Sequence, residues 1–461
     1  MGLLVGCAHL PDATGMTRPR SPEALQARAS LDGPVADWPT EQWWRAYGDP
    51  QLDGLVQEAL VGSPDLAMAS ARLERAEAAL TMAGAARKPQ VRLDAEALET
   101  KFSYHDLTPA YMTPQGWNDR GRVALDFRWE LDFWGRNRAA LAAATSERAA
   151  KEAEWAQARL ILTAEVTAGY AEWGRLWAHR DTAAQAVAIR RTTAALLAER
   201  YTHGLETRGG LREGDARLAT AEGALLAVEE RIELQRHRLA ALLGAGPDRG
   251  LAITRPDLKL EPGYGLPADL GLNLLGRRPD IVAARLRAEA AASRIRQRRA
   301  AFYPDLSLTA FLGVQSLGLD NLTRPGADLG GVGPALSLPI FSGGRLRGQL
   351  RGAQADHREA VAAYDAALIH ALQDVADRAA SLKALGPRLD RAREAVAAAA
   401  EAHRVALDRY RGGLASHLEV LSAEEGLLAS LDLRTDLGAL ALVHHAGLQS
   451  ALGGGYRPLS R

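Results

Sequence analysis

The sequence predicts a mainly α-helical protein with transmembrane-type β-strands, built from one unit used twice, with two strands in each copy. Three observations carry this. Ser63-Pro64-Asp65-Leu66 answers Arg278-Pro279-Asp280-Ile281 at an offset of 215 residues, and the same offset pairs Arg72 with Arg287, Glu74 with Glu289 and Pro89 with Pro304. An offset of 209 then carries Gly135-Arg136 onto Gly344-Arg345 and Arg200-Tyr201 with Gly204-Leu205 onto Arg409-Tyr410 with Gly413-Leu414. Such a period exceeds the roughly 20–50 residues of solenoid repeats, so it marks a large duplicated unit. The other two observations are long alanine- and leucine-rich helical stretches and strict two-residue alternation ahead of them.

Composition narrows the function. Hydrophobic residues make up 47% of the 461 but aromatics only 5%, which suits long helices packed through small side chains rather than a bulky core. Lys+Arg and Asp+Glu are equal at 56 each, so no net field favours nucleic acid. The single cysteine, Cys7, excludes a disulfide framework and a cysteine-built metal site.

In chain order, residues 8–50 are rich in Pro, Gly and Trp and read as an irregular packing arm containing Trp38, Trp43 and Trp44. Leu52, Leu55, Val56, Ala59 and Leu60 share one helical face before Gly62. Ser63 is placed to cap the next helix, with Pro64 at its first position, and that helix runs to about Lys88, where Pro89 ends it. Val91, Leu93, Ala95 and Ala97 then alternate with Arg92, Asp94, Glu96 and Leu98, a weaker pattern. More strongly, Val123, Leu125, Phe127, Trp129, Leu131 and Phe133 alternate with Ala124, Asp126, Arg128, Glu130 and Asp132. The second copy offers Leu306, Leu308, Ala310, Leu312 and Val314, then Leu336, Leu338 and Ile340, although Pro334 and Pro339 remove ladder donors from the last strand. The connections between paired strands are expected over Ser103 to Arg120 and Gly318 to Gly331.

Arg136 to Tyr201 contains no proline and reads as one helix, about 100 Å long at about 1.5 Å per residue. Its copy, Arg345 to Tyr410, is interrupted by Gly386-Pro387, which should kink it. Each ends in a glycine turn and a returning helix, to about Leu243 and Leu452. The boundaries expected are an N-terminal arm (1–62), a first repeat (63–243), a linker (244–276), a second repeat (277–452) and a C-terminal tail (453–461).

Four strands with one apolar and one polar face leave free edges and are too few for a membrane barrel, which needs at least about eight. Long hairpins likewise leave faces unburied in a single chain, so association is expected. Alternation alone also describes a soluble sheet with one solvated face. A soluble scaffold of coiled-coil hairpins in the periplasm, without channel activity, is therefore the alternative, and an autonomous porin is disfavoured by the long helices.

Several motifs resemble the TolC-type outer membrane efflux proteins, in the lipoprotein branch similar to OprM and NodT. They are Trp43-Trp44 with Gly48-Asp49-Pro50 and Leu52, Trp129-Glu130-Leu131-Asp132-Phe133-Trp134-Gly135-Arg136, Arg277-Arg278-Pro279-Asp280-Ile281, Ala301-Phe302-Tyr303-Pro304, and Leu338-Pro339-Ile340-Phe341-Ser342-Gly343-Gly344-Arg345. The resemblance implies a homotrimer in which three four-stranded chains make a 12-stranded barrel of the porin-like type. A 12-helix α-barrel tunnel in the periplasm and a mixed equatorial collar would complete the TolC-like object. It also implies a passive exit duct joined to a periplasmic adaptor and a resistance-nodulation-division type pump of the inner membrane, carrying drugs or other small molecules. Leu4-Val5-Gly6-Cys7 resembles a lipobox, so Cys7 is the expected lipidation site, bearing palmitate-type chains at the outer membrane.

The resemblance further places a periplasmic gate around the second tip turn. The matching positions are Glu419 and Ser422, with Glu213 as the first-copy counterpart of Ser422 and Arg208 and Arg411 as charge partners. Adaptor contact is expected at Tyr201, Gly204, Leu205, Tyr410, Gly413 and Leu414, though a Gly-Leu after Tyr is also a plain helix C-cap. The residues carry no enzyme signature, and no cofactor or metal is expected. His444 and His445 are adjacent and point to different helix faces, and Gly331-Val332-Gly333 opens a strand instead of a phosphate-binding helix.

Overall fold

The computed structural model describes residues 17–21, 25, 29–256, 265–268 and 270–458. Cys7 lies outside them. Among the described residues there are eight α-helices and four strands: α1 (Pro50–Gly62), α2 (Pro64–Ala85), β1 (Gln90–Lys101), β2 (Trp117–Leu131), α3 (Arg136–Thr202), α4 (Arg208–Leu242), α5 (Leu270–Arg277), α6 (Pro279–Ala300), β3 (Asp305–Leu317), β4 (Asp328–Ser337), α7 (Arg345–Arg411) and α8 (His417–Ala451). The duplication extends to element lengths. The helices α2 and α6 have 22 residues each, α3 and α7 have 67, and α4 and α8 have 35.

The chain divides into two compact units, one of residues 1–19, 72–151 and 283–364, the other of 20–71, 152–282 and 365–461. In the first, the strands form one antiparallel sheet in the order β1-β2-β3-β4, so the two copies meet where β2 pairs with β3. A core of Ile295, Phe302, Leu346, Leu350 and Ala353 packs in the same unit. The strand-to-helix corner is tied by Arg136, which reaches Glu130 at 2.6 Å and Asp305 at 3.2 Å, and by Trp134 stacked on Tyr303 with centroids 4.6 Å apart.

The second unit has its core where the arm meets the helices. Trp43, Trp44 and Tyr47 pack with Leu52, Leu55 and Val56 of α1, Tyr170 and Trp173 of α3, and Leu442 of α8. Asp49 caps α1 by accepting the Gln51 N–H at 2.8 Å and also takes the Tyr170 hydroxyl at 2.6 Å. Ser63 caps α2, its Oγ accepting the Leu66 N–H at 3.4 Å, as expected from the Ser-Pro pair.

Three expectations need correction. The helix α2 stops at Ala85, ahead of Lys88, because a turn intervenes before Pro89. The strand β2 ends at Leu131 and β4 at Ser337, so Phe133, Leu338 and Ile340 lie beyond the sheet; Pro339 has no N–H to continue the ladder. The connections between paired strands are shorter than expected, since β2 begins at Trp117 and β4 at Asp328. The helix α7 carries Pro387 within its length. Leu385 and Leu389 on either side of that proline are buried against Leu437 and Ala441 of α8, and this packing holds the helix across the one missing backbone bond.

Candidate functional site

Two places in the structure concentrate functional chemistry, one in each unit. The first is the sheet, where register decides which side chains share a face. β1 pairs with β2 from Gln90↔Arg128 to Lys101↔Trp117, β2 with β3 from Leu131↔Leu306 to Arg120↔Leu317, and β3 with β4 from Asp305↔Ser337 to Val314↔Asp328. Because partners directly opposite point the same way, Val91, Leu93, Val123, Leu125, Phe127 and Trp129 stand on one face with Leu306, Leu308, Leu312, Val332 and Leu336. The other face carries Arg92, Asp94, Glu96, Arg122, Asp126, Arg128 and Glu130. A one-residue slip in any pairing would have mixed the two sets. The alternation along each strand thus becomes a single apolar wall four strands wide, with Leu93, Leu312, Val332 and Leu336 all exposed on this one chain.

The second place is where the long helices turn. After α3, Leu205 N–H bonds the Arg200 carbonyl at 2.8 Å and Gly204 N–H bonds that of Tyr201 at 3.1 Å; after α7, Leu414 bonds Arg409 at 2.8 Å and Gly413 bonds Tyr410 at 3.0 Å. Both are Schellman motifs, with Gly204 and Gly413 at φ of 72° and 71°, where a side chain is strained. The next helices begin with Thr207, accepting the Gly210 N–H at 3.0 Å, and with a capping box between Ser416 and Glu419.

The two turns are not equivalent. Tyr410 is buried with Leu197 and Val420, lies under the Arg200 guanidinium at 4.5 Å, and donates its hydroxyl to Glu206 Oε2 at 2.9 Å. Tyr201, its counterpart, is exposed. Tyr410, which the family resemblance sets among the adaptor contacts, is thus buried here and bonded to Glu206 of the other turn. Burial and the neighbouring Glu206 push its hydroxyl up to about 12. The Thr207 N–H, at 2.8 Å from Oε1, holds Glu206 below the usual carboxylate range, with Tyr410 adding to this. Leu205 and Leu414, the residues after these glycines, are both well exposed.

The gate positions expected from the sequence are spread over the same region. Glu419 is exposed and its carboxylate accepts the Ser416 N–H at 3.1 Å, which is the main reason it sits below the ordinary range, with Arg409 at 3.5 Å. Glu213 bonds Arg217 at 3.0 Å, and Ser422 is exposed on α8. Arg208 and Arg411, expected as partners of these glutamates, pair with neither. Arg411 lies 3.7 Å from Asp408, while the arginines beside Glu419 and Glu213 are Arg409 and Arg217.

Sequence reasoning missed the residues that join the helices here. Arg217 reaches Glu425 at 2.5 Å, tying α4 to α8. Glu424, 1% exposed, accepts from Arg190 at 3.2 Å and Thr193 at 3.2 Å of α3. Glu206 was legible as a charge present in one copy only, since Ala415 stands at its 209-residue counterpart.

Comparison with known proteins places this architecture. The outer membrane efflux protein family matches residues 55–245 and 270–454, one segment in each copy. Among solved structures, the outer membrane protein VceC of Vibrio cholerae superimposes with a TM-score of 0.87 at 45% identity, over 91% of this chain and 100% of that one. The outer-membrane channel OprN gives 0.85 at 28% identity, over 96% and 98%. The fusaric acid resistance protein FusA of Burkholderia cepacia is 36% identical over 77% of this chain and 68% of its own length. The multidrug resistance outer membrane protein MdtP of Escherichia coli K12 is 29% identical over 99% and 94%. With the match running through both copies of the repeated unit, the chain belongs to the outer membrane efflux protein family and is an efflux channel of the outer membrane.

Proposed function

We propose that three copies of the chain close into one duct and that this duct is the passive exit of a tripartite efflux system, fed by an inner-membrane pump through a periplasmic adaptor. The observation that carries it is the four-strand register, which sorts apolar side chains to one face while leaving β1 and β4 as free edges. Such edges invite pairing with another chain. β2 from Gly121 to Leu131 spans about 34 Å at about 3.4 Å per residue, or about 26 Å in height at a tilt of about 40°, which fits the apolar band of a membrane barrel. Three sheets of four strands supply 12. The relatives named for multidrug and fusaric acid resistance support small molecules as cargo. The soluble scaffold has no such support.

In this reading the two repeats, 63–243 and 277–452, each supply two wall strands and one hairpin of the tunnel. Glu213 and Glu419, paired with Arg217 and Arg409, and the exposed Ser422 form the polar surround of the gate, with Arg208 and Arg411 adding charge on the same turns, and the Tyr410–Glu206 bond holds the tips together at rest. Leu205 and Leu414, exposed beside Gly204, Gly413 and Tyr201, are the adaptor's apolar contacts. Lipidation of Cys7 would add an anchor. The test is purified full-length protein, examined for trimers by native mass spectrometry and for discrete conductance steps in planar bilayers. A monomer without conductance would sink the proposal.

A further inference from the structure

The polar face of the sheet is divided. Apart from Asp305, its ionised side chains stand on β1 and β2, whereas the matching positions of β3 and β4 include Thr309, Phe311, Gly313, Gly331 and Gly333. Thr309 turns its hydroxyl to the Gly333 carbonyl at 3.2 Å, so it spends its polarity on the wall. In the middle row Asp126 pairs with Phe311, and Phe311 with Gly331. A Cβ on Gly331 would meet two Phe311 ring carbons at 2.8 and 3.0 Å, so the glycine provides the seat on which the ring lies against β4. An aromatic ring covering a strand glycine stabilises a sheet in its own right. Phe311 nevertheless stays 39% exposed, on the face that carries the charged side chains of β1 and β2.

A ring seated on one side and bare on the other, beside Asp126, has the form of a stacking platform. Aromatic partners prefer offset-stacked or edge contacts and gain free energy beyond the area they bury. We infer that Phe311 is a solute-binding site in the wall of the pore, taking the aromatic part of amphipathic molecules while the charged half of the wall accommodates their polar groups. This deepens the proposed channel and rests on the polar face lining it.

The experiment uses the full-length protein in planar bilayers in KCl, with naphthalene-2-sulfonate as the probe and methanesulfonate as the non-aromatic control. The wild type should show concentration-dependent interruptions of current with the naphthalene compound alone. Phe311→Ser should raise the half-blocking concentration about tenfold, the equivalent of losing one aromatic contact, and Phe311→Trp should retain the block. Gly331→Ala, which unseats the ring without deleting it, should weaken the block too and decides the matter if Phe311→Ser yields no channels. Equal block in the wild type and these variants, or no block of the wild type, overturns the platform while leaving the channel standing. Absence of conductance steps in the wild type removes the pore reading and the platform with it.

Discussion

Replacing Tyr410 with Phe removes one hydroxyl from the tip cluster and leaves the ring, its burial and the Arg200 guanidinium 4.5 Å above it. The lost interaction is the 2.9 Å hydrogen bond to Glu206. Hydrogen bonds to an ionised partner contribute about 1.5–3 kcal/mol; Glu206 is only half-buried, so the low end applies, about 1.5 kcal/mol or roughly tenfold in the ratio of joined to parted tips per chain. Glu206 keeps its bond from the Thr207 N–H at 2.8 Å, so no unsatisfied carboxylate is created. Single-channel recording should therefore find the open probability of Tyr410→Phe raised about tenfold or more, given that several chains share the gate. In a Glu206→Ala background the same substitution should add little, because the acceptor is already gone. The reasoning is refuted if Tyr410→Phe gates like the wild type, or if its effect is undiminished when Glu206 is alanine.

Three more outcomes are expected. Leu125→Arg puts a charge in the middle of the apolar face and should cost about 2–4 kcal/mol, seen as loss of folded protein from outer-membrane fractions; Arg128→Gln, at an exposed position of the other face, should be tolerated. Glu424→Ala removes the buried partner of Arg190 and Thr193 and should destabilise by about 3 kcal/mol, read as a lower midpoint of the helical circular dichroism melt. Glu206 titrates below its unfolded value, so its stabilising contribution is whole above the ordinary carboxylate pKa near 4.3 and is lost as pH falls through the lowered one. Wild-type open probability should accordingly rise below about pH 4, and Tyr410→Phe should show no such rise.

Much of the fold was legible because its signals are local and repeated. The length of α3 follows from proline-free helix-forming residues between Gly135 and Gly204, and that of α7 from its match to α3 at the 209-residue offset. Strand faces follow from alternation, and the Ser63-Pro64 start is a local capping matter. Strand ends and the continuity of α7 through Pro387 were not, because a missing backbone bond can be outweighed by burial of Leu385 and Leu389 against residues about fifty positions away. The candidate gate was only half legible. Glu213 and Glu419 stand out by position, but their partners do not, since which arginine reaches a carboxylate depends on helix rotation.

Taken alone, the sequence determined the duplicated plan, the helical and strand segments and the family resemblance, all of which arise from short-range periodicity and motif identity. Tertiary structure decided how the four strands register into one apolar wall, that Tyr410 is buried while Tyr201 is exposed, and that Glu206 joins the two tips. Those are outcomes of packing between segments two hundred residues apart. Two copies of one plan diverge there because each turn meets a different neighbour, and burial and hydrogen bonding depend on the neighbour as much as on the residue.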